Sequence, residues 1–160
     1  MQEVRNMPIG IQDFPSMIEG NYVYVDKTQF IPSLEKLGRA YFFTRPRRFG
    51  KSLFLSTLQA YFEGRKELFK GLAIEKIKAE KGEEWKKYPV LKLDLNVGDY
   101  KDSQELKTIL NAHIKDWCKQ FGLVQQFDVA HLNFAYIIQS LYEKFKQKVV
   151  ILIDEYDKPL

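Results

Sequence analysis

Residues 45–52 read RPRRFGKS, and the closing Gly50, Lys51 and Ser52 are the combination that holds a phosphate chain. A glycine lets the main chain approach closely, backbone N–H groups at a helix start supply positive potential, lysine reaches the β- and γ-phosphates, and a hydroxyl ligates Mg²⁺. The usual spacing, G-x-x-x-x-G-K-[ST], asks for glycine at position 45, where this chain has Arg45. The lead-in therefore uses ordinary backbone angles, helped by the rigid turn at Pro46, while the gripping part from Phe49 to Ser52 is intact. Arg47, Arg48, Phe49, Gly50, Lys51, Ser52 and Leu53 make up the candidate nucleotide-binding set. Arg45, Arg47 and Arg48 add cations that can take phosphate oxygens bidentately; the plainer alternative has them facing solvent or pairing with acids.

A second constellation stands far along the chain. Val149 to Ile153 is an aliphatic run, followed directly by Asp154 and Glu155. At the end of a strand, Asp154 can hold the water shell of Mg²⁺, and Glu155, pointing elsewhere, can position or deprotonate the attacking water. Lys51 and Glu155 are thus the candidate catalytic groups, Ser52 and Asp154 the metal-side groups, and Mg²⁺ with ATP the implied ligands. Carboxylates after a buried strand also simply meet solvent or cap a helix.

These groups need elements to place them. YVYV, Tyr22 to Val25, and AYFFT, Ala40 to Thr44, read as short strands, the latter buried. Asp26 or Thr28 can cap a short helix through QFIPSLEKL, closed by Gly38. Phe54, Leu55, Leu58, Tyr61 and Phe62 recur at helical spacing after Gly50. ELFKGLAI and EKIKAEKGEEWKKYP predict short helices near the surface, their charges a solvated face. VLKLDLN, Val90 to Asn96, alternates as a strand does. Helical stripes run through Leu106, Ile109, Leu110, His113, Trp117, Cys118 and Phe121, then through Phe134, Ile137, Ile138, Leu141, Tyr142 and Phe145. Trp117 and Phe134 are expected in the core. Val149 to Ile153 predicts a strand covered on both faces of a parallel sheet with right-handed crossovers.

Composition narrows the rest. A chain of 160 residues with 45% apolar residues can build one domain with a real core. The net charge of +4 is small for a binder of nucleic-acid backbone. A nucleic-acid module using Arg45, Arg47, Arg48 and the lysines between 76 and 87 is a competing reading, as is a nucleotide-dependent switch or scaffold without turnover. A single cysteine, Cys118, excludes an intramolecular disulfide and a zinc site of paired cysteines, and the isolated His113 and His131 suit structural roles. No stretch of eighteen apolar residues is present, so no membrane partner is expected and a reducing cytoplasm is the default compartment.

MPIGIQDF, YVDKTQFI, FFTRPRRFGKSLFLSTLQAYFEG, ELFKGLAIEK, WKKYPVLKLDLN and LIDEYDKPL, in this order, resemble the AAA-ATPase-like family of bacterial and archaeal proteins. RPRRFGKS is that family's own form of the loop, so Arg45 accords with the resemblance. The likeness implies an α/β fold, the parallel-sheet core of a P-loop nucleoside triphosphatase of the type with an additional catalytic glutamate. It implies Lys51 and Ser52 as phosphate and magnesium residues, Asp154 as the Walker B aspartate and Glu155 as the base. Ile9 to Phe14 is the stretch that analogy offers for reading the base. Residues 1–160 would be the N-terminal part of one such domain, with 1–39 an N-terminal segment and 40–160 the core from phosphate loop to Walker B strand. The expected core ends after that strand, without a sensor strand or arginine finger, so self-association or a further C-terminal region would complete it.

Overall fold

The computed structural model describes residues 5–37, 40–44, 49–96 and 103–158. Arg45, Pro46, Arg47, Arg48 and Gly38 lie outside them. The chain divides into two compact units, Met1–Lys87 and Tyr88–Leu160.

The first unit is helical. Helix α1, Phe14–Glu19, begins at Asp13, whose Oδ2 accepts hydrogen bonds from Ser16 N at 2.9 Å and Ser16 Oγ at 2.7 Å. A short 3-10 helix, Thr28–Phe30, leads into α2, Ile31–Leu37. Next come α3, Lys51–Phe62, a second 3-10 turn, Lys66–Phe69, and α4, Ala73–Lys81. Asp26 binds amides at the start of two elements, though the N-cap positions themselves are Lys27 and Leu72. Its Oδ1 accepts from Thr28 N at 2.8 Å, opening the first 3-10 turn, while its Oδ2 accepts from Ala73 N at 2.7 Å at the start of α4. Thr28 Oγ1 accepts from Ile74 N at 3.1 Å, satisfying the next amide of α4.

The core of this unit centres on Phe14, Ile31, Phe54, Tyr61, Phe69 and Ile74. Two expectations are corrected here. YVYV is not a strand: Tyr22 makes one isolated bridge to Asn6, Val25 is exposed, and Tyr24 turns inward to hydrogen-bond Thr57. AYFFT is not a buried strand either: Phe42 is 70% exposed, and Phe43 stacks on Phe54 with ring centres 5.3 Å apart. A strand needs a neighbour's ladder, and among the described residues a sheet forms only in the second unit.

The charged region after α3 is also more buried than its composition suggests. Leu68, Phe69 and Ile74 are in the core, and Trp85 packs on Phe69 and Tyr61. Lys78 is only 5% exposed: its stem is covered, and its Nζ lies 5.4 Å from the Tyr61 ring centre and 5.6 Å from that of Trp85.

In the second unit, β1, Val90–Asp94, pairs in parallel with β2, Val150–Asp154, in the register Val90↔Val150 through Asp94↔Asp154. Between them run α5, Ser103–Phe121, and α6, Ala130–Phe145. A parallel pair requires a crossover of this kind. Leu91 and Leu93 of β1 pack with Ile114, Trp117 and Cys118 of α5 and with Ile137 and Leu141 of α6. The helical stripes hold, with Trp117 against Phe134, although Tyr142 is 57% exposed at the stripe's margin. The expectation that β2 is covered on both faces fails: Ile151 is 39% and Ile153 45% exposed. It is β1 whose aliphatic residues are enclosed, because α5 and α6 cluster over Leu91 and Leu93.

Candidate functional site

Gly50 has φ +72°, the left-handed region, and is the N-cap of α3. A Cβ built there would meet nothing within 4 Å, so the backbone angle rather than space selects glycine. Phe54 N donates to Gly50 O at 3.0 Å, the first intrahelical bond, so the amides of Lys51, Ser52 and Leu53 precede any intrahelical acceptor. The side chains of Lys51, Ser52 and Leu53 are half-buried, and Phe49 is 61% exposed. The site these residues form is a helix start with clustered N–H groups, a primary ammonium and a hydroxyl, chemistry suited to an anion.

Helix α3 is anchored one turn further on. Ser56 Oγ donates to Asp13 Oδ1 at 3.1 Å and accepts from Phe14 N at 3.0 Å. Thr57 Oγ1 donates to Leu53 O at 2.9 Å and lies 3.3 Å from Tyr24 OH. Ser56 and Thr57 are not evident from the sequence, where the signal is a pair of hydroxyls inside the apolar run FLSTL, and Asp13 stands there only within the stretch Ile9 to Phe14. Phe14, at the end of the stretch considered for base reading, is fully buried against Tyr24 and Phe69, whereas Ile9 is 91% exposed.

In the second unit, Asp154 closes β2 and is only 7% exposed. Its Oδ1 accepts from Glu155 N at 3.0 Å, and its carbonyl accepts from Leu95 N at 3.2 Å. Glu155 has φ +53°, left-handed backbone that a non-glycine side chain pays to adopt. Lys158 N donates to Glu155 O at 3.0 Å, closing the turn behind it. Asp154 is thus buried at the strand end, while Glu155 is half-buried on left-handed backbone just beyond it. Asp94, the register partner of Asp154, stands beside it on β1. Sequence alternation marked Asp94 only as the polar phase of a strand, and its neighbour was invisible without the register.

Lys51 and Ser52 thus belong to the first unit and Asp154 and Glu155 to the second. Arg47 and Arg48 lie outside the described residues. Among the described residues, no three His, Cys, Asp or Glu side chains converge on a metal position. Taken singly, the Ser52 hydroxyl and the Asp154 carboxylate are oxygen donors of the hard kind that Mg²⁺ takes.

A family described as "Predicted AAA-ATPase" matches residues 8–160. The chain belongs to this AAA-ATPase-like family. It is also 36% identical over 157 residues to "Uncharacterized protein in vnfD 5'region" of Azotobacter chroococcum mcd 1, a match covering 98% of this chain and 30% of that relative. No solved structure matches. The chain thus spans 30% of the length of the relative it matches. Among the described residues of this AAA-ATPase-like chain, no helix is long and apolar enough to cross a membrane.

Proposed function

We propose that the chain carries the Mg²⁺-dependent ATP-binding and hydrolysing centre of an AAA-ATPase-like protein. The observation that carries this reading is Gly50 in left-handed backbone at the start of α3, followed at once by Lys51 and Ser52. The first-turn amides and the Lys51 ammonium neutralise the β- and γ-phosphates, and Phe49 contributes its main chain rather than its exposed ring. Ser52 of the first unit and Asp154 of the second are the oxygen donors that would serve Mg²⁺, which when bound would screen charge building on the transferred phosphoryl group. Glu155 orients the attacking water and accepts its proton. Arg47 and Arg48 supply further charge to the phosphate oxygens.

The burial of Asp154 supports its metal-side role, since a carboxylate that deep is costly without a compensating charge. The left-handed angle at Glu155 supports a functional role there, because strain of this kind is kept where a side chain must be aimed.

Phosphate release from Mg-ATP by the wild-type chain and its Glu155→Gln variant tests the reading. Gln keeps the size of the side chain and removes the base, so the variant is expected to retain ATP affinity and lose at least ~10²-fold in turnover. Equal turnover in both proteins would remove Glu155 from the mechanism. ATP binding without turnover in the wild type would leave the nucleotide-dependent switch as the function of these residues.

A further inference from the structure

Two hydroxyls are buried side by side in α3, and they direct their hydrogens differently. Ser56 donates to Asp13 and so ties the helix to the start of α1. Thr57, fully buried, donates back along its own helix to Leu53 O at 2.9 Å. A hydroxyl has one hydrogen, and that of Thr57 goes to Leu53, so Thr57 Oγ1 accepts from Tyr24 OH, 3.3 Å away and 33 positions earlier in the chain. Burial raises the Tyr24 phenol above its ordinary range, so it holds the proton it donates. Its ring is fixed edge-on against Phe14, with centres 5.2 Å apart.

A threonine that bonds the carbonyl four residues back is common in helices and by itself does little for them. Here the carbonyl belongs to the peptide unit joining Leu53 to Phe54, and the N–H of that unit donates to Gly50 O at 3.0 Å. The Gly50 carbonyl shares its own peptide unit with the N–H of Lys51, the first residue of α3. A line of hydrogen bonds therefore runs from the Tyr24 phenol through Thr57 and two peptide units to the Lys51 amide, with every donor facing the same way. A carbonyl that accepts a hydrogen bond draws charge from its own nitrogen, and the N–H beyond it becomes a stronger donor. Bonds in such a chain reinforce one another by ~10–30% each, and more where water is excluded, as it is around Thr57 and Phe54.

We infer that Tyr24 and Thr57 are positioning residues of the phosphate site, fixing and strengthening the Lys51 amide through this line. The inference rests on the reading of the α3 start as the phosphate grip, and it adds two residues that lie outside both the loop and the Asp154-Glu155 pair.

Tyr24→Phe removes only the phenolic oxygen, Thr57→Val exchanges the hydroxyl for a methyl, and Thr57→Ser restores the hydroxyl. Backbone nitrogen resonances of the nucleotide-free 160-residue chain read the line directly. Those of Phe54 and Lys51 are expected to move upfield in Tyr24→Phe and further in Thr57→Val, while Ser52 and Leu53, between them in sequence but off the line, move less. A merely structural change in the helix would displace all four together. Mg-ATP affinity, measured by calorimetry well below each protein's melting temperature, should fall ~2-fold in Tyr24→Phe and ~4-fold in Thr57→Val, and Thr57→Ser should bind as the wild type does.

Equal movement of the four nitrogens, no movement of Phe54 and Lys51, or no recovery of affinity in Thr57→Ser would each overturn the inference. Wild-type binding of Mg-ATP that Thr57→Val leaves intact would overturn it alone. Absence of Mg-ATP binding by the wild type would instead bring down the proposed function, and this inference with it.

Discussion

Glu155 carries two burdens that a single substitution separates. Its φ of +53° costs about 1 kcal/mol relative to glycine, and its carboxylate is the proposed base. Glu155→Gly is expected to raise stability by about 1 kcal/mol in urea unfolding while abolishing turnover, whereas Glu155→Gln abolishes turnover with no such gain. A loss of stability in the glycine variant would mean that the carboxylate's contacts outweigh the strain. Tyr24 gives a second prediction. Burial chiefly, with the nearby Asp26 charge adding to it, raises its phenol above the ordinary range despite the Thr57 contact, and burial likewise raises the Cys118 thiol. Groups raised in this way stay protonated in the folded chain after the unfolded chain has ionised. Their contribution is intact below the unfolded values and is lost as pH climbs towards the folded ones. Unfolding midpoints measured at about pH 8 and pH 10.5 should therefore fall less for Tyr24→Phe than for the wild type.

Individual elements here are held by buried polar clamps that composition does not advertise. Asp26 serves the first 3-10 turn and α4 at once, so Asp26→Ala removes the acceptor of Thr28 N, two residues on, and that of Ala73 N, 47 residues on. The expected cost is about 2 kcal/mol, with much of it recovered in Asp26→Asn, as read from the urea midpoint. Asn133 plays the same part for the α5–α6 loop. Fully buried, it accepts from Gln126 N and Phe127 N at 3.1 Å each, and its amide donates to the carbonyls of Phe127 and Val129. Asn133→Leu keeps the volume and strips the partners; amide exchange at Gln126 and Phe127 should accelerate about 10-fold or more while that of β1 stays slow. Uniform exchange across the unit would show that the clamp is global.

At the scale of the whole molecule, legibility followed the range of the forces involved. The stripes that become α5 and α6 were readable because a helix satisfies its own backbone and advertises its buried face every three to four residues. VLKLDLN and VVILIDE were readable as strands for their patterning, but their partnership was not, and with it went Asp94. Tyr22 to Val25 and Ala40 to Thr44 have strand composition without a ladder, since a strand is completed by a neighbour that local composition does not contain. That Gly50 opens α3 on left-handed backbone was legible because that preference belongs to the residue itself. The anchoring of α3 by Asp13 and Tyr24 was not, because those contacts join residues more than thirty positions apart.

The central claim is that the start of α3 grips the phosphates of ATP. Calorimetric titration of Mg-ATP into the wild-type chain and into Lys51→Ala tests it most directly. One ATP per wild-type chain is expected, with affinity reduced at least ~10-fold in Lys51→Ala and unfolding midpoints unchanged. Equal affinity in the two proteins, or no binding by the wild type, would contradict it.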